Sequence, residues 1–178
     1  MEGRTHLGHA DHSRRDLCAD LTRPNGSRPG ILCRVISVRY AQVSDLGAMA
    51  AFDMASTPER QSALGQFLEE SHGRLFVAVD EDLPGSPVVG YVAMGAGAFF
   101  GRDFIELLVV EDSHRRQGVG AALLSTACAA ASSATVFTST NESNAPMRAL
   151  LDRDGWTLSG RLTGLDFGDP ELVFYRGH

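Results

Sequence analysis

The chain has 178 residues, 43% of them hydrophobic, and a formal net charge of −6 at neutral pH. This length can bury one sizeable core but hardly two, so we expect a single soluble domain. All 16 basic residues are arginine, which excludes a Walker-type phosphate loop and Schiff-base catalysis by the chain's own side chains. The acidic balance argues against a nucleic-acid partner, and no apolar run approaches the length of a membrane span.

The N-terminal segment differs in composition from the rest. Residues 1–33 are rich in Arg, His, Gly, Pro and Asp, so we expect a disordered extension before a folded domain of residues 34–178. The segment has no uninterrupted apolar stretch of signal-peptide length, which favours a cytoplasmic protein. Its cysteines and Cys128 are widely spaced, so neither a disulfide framework nor a metal site is predicted, and Cys128 is expected to be a buried small hydrophobe.

The first half of the domain alternates strands and helices. Periodicity predicts a strand over residues 35–40 and a helix over 45–55 capped by Ser44. A second helix follows, with capping-box spacing between Ser56 and Glu59, and Gly73 is placed to end it. Two strands then form a hairpin around a Pro-Gly turn, over residues 74–80 and 87–95.

The second half repeats the alternation. The pattern predicts a strand over residues 104–111, a helix over 119–132, a strand over 134–140, a helix over 144–153 and a closing strand pair over 156–165 and 172–176. Gly155 is placed to stop the last helix. We expect His114, in the loop before the third helix, to be exposed.

The stretch from Leu108 to Ala121 joins an apolar strand to a glycine-opened helix through a basic loop. Amides at a helix start lack intrahelical partners, and the helix dipole adds positive potential there. Gly118 and Gly120 let a ligand approach the backbone closely. This stretch is therefore predicted to hold a pyrophosphate.

The spacing Arg115-x-x-Gly118-x-Gly120, preceded by Leu108-x-Val110, resembles the acyl-CoA binding signature of the GNAT superfamily of N-acetyltransferases. The order of elements over residues 35–176 is similar to the fold of that family. The resemblance implies an α/β (α+β) fold with a mixed, mostly antiparallel twisted sheet of about seven strands flanked by about four helices. It also implies acetyl-CoA as cosubstrate. A bulge-prone Val109-Val110 pair belongs to the same register.

The resemblance assigns cofactor contacts residue by residue. The backbone of strand residues before the loop would pair with the pantetheine arm, and the loop amides would hold the pyrophosphate. Asn144 belongs to a second family marker, which runs from Asn144-x-x-Met147 to Gly155-Trp156, and would contact the cofactor arm. The implied cofactor-binding residues are Leu108, Val109, Val110, Arg115, Arg116, Gln117, Gly118, Val119, Gly120, Ala121 and Asn144.

The candidate general base is Glu106, which alternation places on the strand face of Leu108. The alternative is a strand-face carboxylate that hydrogen-bonds to a neighbour. Many family members carry a tyrosine that protonates the departing thiolate, where this chain has Leu151. Tyr175 is the candidate acid in its place, with Tyr91 and Ser143 as further substitutes.

The expected function is acetyl-CoA-dependent transfer of an acetyl group to a primary amine of a small molecule or peptide, by direct attack on the thioester. A non-catalytic acyl-CoA sensor is the first alternative, motivated by Leu151, and a protein N-acetyltransferase is the second. Neither nucleic acid nor membrane is an expected partner, and the expectation includes a homodimer. Exclusive use of arginine suggests a GC-rich bacterial genome.

Overall fold

Seven strands form one sheet in the spatial order β1-β2-β3-β4-β5-β7-β6. The computed structural model describes residues 34–69 and 73–177, so the predicted N-terminal extension lies outside the described residues. The elements in chain order are β1 (Ile36–Tyr40), α1 (Leu46–Phe52), α2 (Pro58–Glu69), β2 (Gly73–Asp80), β3 (Val88–Phe99), β4 (Arg102–Val110), α3 (Val119–Ala130), β5 (Thr135–Asn141), α4 (Ala145–Arg153), β6 (Thr157–Leu162) and β7 (Glu171–Gly177).

The sheet is mixed, because β4 and β5 run parallel while every other neighbouring pair is antiparallel. Parallel neighbours need a crossover, and α3 supplies it between β4 and β5. The helices α3 and α4 therefore both begin just after the carboxyl ends of β4 and β5. The predicted fold class is confirmed, with seven strands and four α-helices in the described part of the chain.

Apolar side chains pack on both faces of the sheet. The α3-side core contains buried side chains from the sheet, α3 and α4, among them Val92, Met94, Ile105, Leu123, Leu124, Val136 and Leu151. The α2-side core lies on the opposite face and contains Met49, Leu64, Leu75, Val77, Val79, Tyr91 and Ala93. Each fully buried large apolar side chain contributes about 1.5–3 kcal/mol to stability.

The hairpin between β3 and β4 is longer than the pattern predicted. β3 continues past Gly95 to Phe99, which pairs with Arg102 across a two-residue turn. Both turn residues are left-handed, with φ of 49° at Phe100 and 75° at Gly101. Such turns match the twist of the strands they join. The small residues 96–98 carry little strand propensity, which explains why the predicted strand ended early.

Several predicted helix ends are wrong by a few residues. Ser44 lies inside a short 3-10 turn (Val43–Asp45) and does not cap α1, which begins at Leu46. In α2 it is Thr57, not Ser56, whose hydroxyl accepts a hydrogen bond from the Arg60 amide, at 3.2 Å. Gly73 opens β2. Within residues 34–69 and 73–177, no helix is both long and apolar enough to cross a membrane.

Candidate active site

β4 and β5 are hydrogen-bonded only near their amino ends. Their pairing runs from Asp103 opposite Val136 to Ile105 opposite Thr138. The Thr138 hydroxyl donates to the Ile105 carbonyl at 3.0 Å, which closes the narrow end. Beyond this point β4 continues to Val110 with no strand partner on its β5 side among the described residues. The two strands therefore border an opening, and the β5-side edge of residues 106–110 faces it without a strand partner.

A β-bulge lies at the narrow end of this opening. Ala93 faces Leu107 and Met94 faces Ile105, so Glu106 has no partner on β3. The predicted bulge at Val109-Val110 is wrong, because those two residues pair regularly with β3. A bulge re-aims side chains and bends its strand, and this one sits where β4 leaves β5.

The bulge also reverses the predicted orientation of Glu106. A Cβ atom placed on Gly95 would lie 2.6 Å from Glu106 Oε1, so the carboxylate lies across Gly95. Gly95 is two residues from Ala93 in the α2-side core, whereas Leu108 packs on the α3-side core. Glu106 and Leu108 thus lie on opposite faces of the sheet, and their predicted common face is wrong.

The Glu106 carboxylate has no hydrogen-bond or ion-pair partner in the described part of the chain. The residue is exposed, but the protein around its carboxylate desolvates it in part and raises its pKa above the ordinary 4.5. The alternative of a carboxylate hydrogen-bonded to a neighbour is not what the structure shows. A carboxylate with a raised pKa and free oxygens is suited to accept a proton.

The loop before α3 presents a run of main-chain donors. The amides of residues 116–121 have no protein acceptor among the described residues, and the first helical bond of α3 runs from Ala122 to the Gly118 carbonyl at 3.0 Å. Arg116 and Gly118 are left-handed, with φ of 60° and 88°, and Gly118 is the N-cap of α3. Left-handed residues at alternate positions, as here, arrange successive amides into a concave group that binds anions. The helix dipole adds to its positive potential.

The side chains of the loop are arranged in two ways. The Arg115 guanidinium is anchored to the loop, 2.8 Å from Asp112 and 3.1 Å from the Val110 carbonyl. The Gln117 amide donates to the Ser113 carbonyl at 2.7 Å. The exposed Arg116 guanidinium has no ion-pair or hydrogen-bond partner in the parts of the chain described. Arg116 is therefore the loop cation left available for an anionic ligand.

Gly120 faces the protein and not the open side of the loop. A Cβ atom placed on it would lie 3.1 Å from Leu150 and 3.8 Å from Leu108 and Val110. The prediction that Gly120 makes room for a ligand is therefore wrong, because a side chain at this position would meet the protein and not the ligand. It lets α3 pack closely on β4 and α4, and only its amide belongs to the donor group.

A polar cluster centred on the buried His114 connects the loop before α3 to the sheet. His114 is 4% exposed, so the expectation that it is exposed is wrong. Its Nε2 lies 3.1 Å from Asp80 on β2 and its Nδ1 lies 2.8 Å from Glu111. Burial raises the pKa of Asp80, but hydrogen bonds from the Asp82 amide, His114 and Arg34 outweigh that effect, and the pKa is lowered. The cluster ties the loop to the sheet.

Asn144 has a structural role at the start of α4. Its side-chain oxygen accepts from the Met147 amide at 3.2 Å, and its side-chain nitrogen donates to the Thr140 hydroxyl at 3.0 Å. One N–H of the side chain remains for other contacts. Its contact with the cofactor arm stays a prediction.

The candidate acids differ in availability. Leu151 is fully buried in the α3-side core. Tyr91 is buried and donates to Asp53 at 2.6 Å, and burial with that bond raises its pKa to about 12. Ser143 donates to Asp169 at 2.6 Å. Tyr175 is 37% exposed on β7, on the sheet face of Glu106. Of the three candidate acids, Tyr175 is therefore the one whose hydroxyl can reach a ligand.

Cys128 is 7% exposed in α3, and burial raises the pKa of its thiol to about 11. The prediction of a buried small hydrophobe is confirmed. A hollow of about 330 Å³ beside it is lined by Arg176, which pairs with Asp154 at 2.6 Å. It lies near the far end of α3 from the open amides, so the strand opening and not this hollow is the candidate site. No cluster of metal ligands occurs within the described residues.

Comparison with known proteins identifies the class to which this site belongs. A profile of the acetyltransferase (GNAT) family matches residues 44–156, which is more than half of the chain. The chain belongs to this family, as the glycine loop indicated, and is an acyltransferase that uses acetyl-CoA. No curated protein sequence matches the chain.

Solved structures agree with this assignment. A GNAT-family acetyltransferase from Bacillus cereus ATCC 10987 has a TM-score of 0.71 and 26% identity, over 80% of this chain and 97% of that chain. A proposed streptothricin acetyltransferase from Bacillus anthracis str. Ames, solved with acetyl coenzyme A, has a TM-score of 0.65 and 16% identity, over 80% and 99%. The ribosomal-protein-S18-alanine N-acetyltransferase from Escherichia coli has a TM-score of 0.63 and 14% identity, over 80% and 94%. The last two likenesses show the fold alone.

Proposed function

We propose that the chain transfers the acetyl group of acetyl-CoA to a primary amine of a small molecule or peptide. The observation that supports this most strongly is the run of unpartnered amides at residues 116–121, beside the opening between β4 and β5. Composition favours a cytoplasmic, bacterial protein. A homodimer stays part of the proposal.

The cosubstrate is proposed to bind along two features already described. The amides from Arg116 to Ala121 hold the diphosphate, with each charge-assisted hydrogen bond worth roughly 1.5–3 kcal/mol. Arg116 adds a free guanidinium, and Arg115 and Gln117 shape the loop. The pantetheine arm lies in the opening and pairs with the main chain of Leu108 to Val110, as an added strand would. An amide near Val109 or Val110 polarises the thioester carbonyl.

The reaction needs few side chains, because acetyl-CoA supplies an activated thioester. The neutral amine attacks the carbonyl carbon, a C–N bond forms, and the C–S bond breaks with its electron pair going to sulfur. Glu106 accepts the proton lost by the amine, directly or through a water. The thiolate receives a proton from Tyr175 or from water, since a thiol with a pKa of about 8.5 is a good leaving group.

The alternative is an acyl-CoA sensor that binds the cosubstrate without turnover. The buried Leu151, where the family's usual acid would stand, is the observation that favours it. A protein N-acetyltransferase is a further candidate, since the family includes one for a ribosomal protein in Escherichia coli.

Release of free thiol from acetyl-CoA, measured across small amines, polyamines, amino acids and peptide N-termini, separates these functions. The proposed function predicts turnover with at least one acceptor class, and Glu106→Gln is expected to lower kcat about 100-fold. Saturable binding of acetyl-CoA with no turnover of any acceptor would favour the acyl-CoA sensor over the proposed function. An unchanged kcat in Glu106→Gln would remove this residue from the reaction.

A further inference from the structure

A cluster of aromatic side chains lies beside Glu106 and belongs to neither core. The rings of Phe99 and Phe104 are stacked with centroids 5.3 Å apart, and Phe99 lies 5.1 Å from Phe137. Phe137 continues to Tyr175 at 6.0 Å. We call these four residues the aromatic row, since they cross β3, β4, β5 and β7 in order.

The aromatic row lies on the sheet face of Glu106. Ile105, Val136 and Phe174 point into the α3-side core, so their neighbours Phe104, Phe137 and Tyr175 point to the opposite face. The helices on that face, α1 and α2, pack against β2 and β3. The row is only partly covered as a result: three of its rings are half-buried and Tyr175 is exposed.

The row is continuous with the candidate base. Phe104 precedes Glu106 by two residues on one face of β4 and pairs across the sheet with Gly95. The Glu106 carboxylate lies across that same Gly95. An amine held at Glu106 therefore places its attached group against Phe104 and the rings that follow.

Charge on this face fits an amine that carries a flat ring. The Glu106 carboxylate has no protein cation beside it, and the exposed Arg102 lies four residues away along β4, about 13 Å at the rise of a strand. A protonated amine gains attraction from the carboxylate and from the faces of the rings. Stacked aromatic groups gain further from edge and face contacts.

The size of the row suits a small ligand better than a second copy of the chain. Four aromatic side chains of about 200 Å² each, of which Tyr175 is the most exposed at 37%, leave less than roughly 300 Å² to bury. A stable protein interface buries about 800 Å² on each partner. The row alone would supply well under half of that area.

We infer that the acceptor is a primary amine carried on a short chain from an aromatic ring, with the ring seated on Phe104 and Phe137. This inference rests on the proposed function, because it places the acceptor amine at Glu106. It adds the class of acceptor, which neither the fold nor the family defines.

The test compares 2-phenylethylamine with its saturated analogue 2-cyclohexylethylamine and with n-butylamine. We expect kcat/KM to be about tenfold higher for the aromatic amine than for the saturated one. Phe137→Leu keeps an apolar side chain but removes the ring, and is expected to lower kcat/KM for 2-phenylethylamine about tenfold. The values for n-butylamine and the Kd of acetyl-CoA should not change. Tyr40→Leu, which alters an exposed aromatic residue on β1 at the other end of the sheet, is the matched control.

Calorimetry of 2-phenylethylamine with the CoA-bound protein separates the two proposals. Equal kcat/KM for the three amines would overturn the ring preference while supporting acetyl transfer. Binding of 2-phenylethylamine that weakens in Phe137→Leu, without turnover, would support the ligand class and overturn acetyl transfer. A dimer in light scattering that dissociates in Phe137→Leu would assign the row to a second copy and overturn the inference. Phe104→Leu repeats each measurement if Phe137→Leu does not fold.

Discussion

Gly95→Ala tests whether the Glu106 carboxylate must lie where the structure places it. The added Cβ atom would be 2.6 Å from Glu106 Oε1 and 2.9 Å from Ala98 Cβ, where ordinary contact begins at 3.4 Å. The contact with the carboxylate is thus too short by about 0.8 Å. The Glu106 carboxylate is the far end of a flexible side chain and must shift, whereas the contact with Ala98 is relieved only by a movement of the backbone.

The expected result is a fall in kcat of about 100-fold, because a shift approaching 1 Å in a reacting group costs about that factor. The Kd of acetyl-CoA should stay within twofold, since the donor amides lie in a separate loop. Overpacking is expected to lower the free energy of unfolding by about 1–3 kcal/mol. Thiol release gives kcat, calorimetry gives Kd, and thermal melting confirms that the variant is folded at the assay temperature.

Gly160→Ala is the matched control, because Gly160 is also a strand glycine but a Cβ there meets nothing within 4 Å. The combined variant Gly95→Ala/Glu106→Gln should be no slower than Glu106→Gln alone if Gly95 acts through the carboxylate. A wild-type kcat in Gly95→Ala, or a fall in kcat of the combined variant equal to the product of the two single effects, would show that Gly95 does not position the Glu106 carboxylate.

Four further predictions concern the loop, its support, the buried thiol and the base. Gly118→Ala should weaken acetyl-CoA binding at least tenfold in calorimetry and destabilise by about 1–2 kcal/mol because of its positive φ, whereas Gly155→Ala should destabilise similarly with no loss of affinity. Asp80→Asn should lower the melting temperature at neutral pH. The difference from wild type should close as pH falls below 3.8, because the pKa of Asp80 is lowered in the folded protein and only its ionised carboxylate stabilises the fold. A constant difference in melting temperature down to pH 2 would contradict this role. Cys128 should resist iodoacetamide at pH 8 in the native protein and react in urea, as read by peptide mass mapping, because its pKa is about 11; native labelling would contradict its burial. The acid limb of kcat/KM should titrate above pH 4.5 and disappear in Glu106→Gln, because desolvation raises the pKa of this carboxylate; a limb that persists would belong to the amine.

The sequence predicted features that depend on neighbours along the chain. The donor loop could be found because Gly118 stands directly before an Ala- and Leu-rich helix, and both the left-handed N-cap and the open amides follow from that local order. The order of elements could be predicted for the same reason, whereas the mixed sheet was implied by the family resemblance. The family resemblance then indicated which ligand such a loop binds.

Features that depend on contacts across the sheet could not be predicted. The face of Glu106 is set by a bulge opposite β3, and the carboxylate fits there because Gly95 lacks a side chain. The burial of His114 depends on Asp80, which is 34 residues away. Gly120 matches the family spacing, but its contact with Leu150 shows a packing role that spacing alone does not reveal.

The aromatic row shows the same limit. Phe99, Phe104, Phe137 and Tyr175 have no common spacing in the sequence and meet only because β4, β5 and β7 are neighbours in the sheet. Periodicity along the chain assigns each of these residues to its own strand and does not show that their side chains meet. The acceptor class is therefore a property of the fold as much as of the residues.

Calorimetry of acetyl-CoA against S-acetylpantetheine tests whether the start of α3 binds the diphosphate, because S-acetylpantetheine carries the same thioester and arm but lacks the diphosphate and the adenosine nucleotide attached to it. If the amides of residues 116–121 hold the diphosphate, acetyl-CoA should bind with a Kd in the micromolar range and S-acetylpantetheine at least about 100-fold more weakly. Equal affinity for the two ligands would show that the start of α3 does not bind the diphosphate, and would contradict the account.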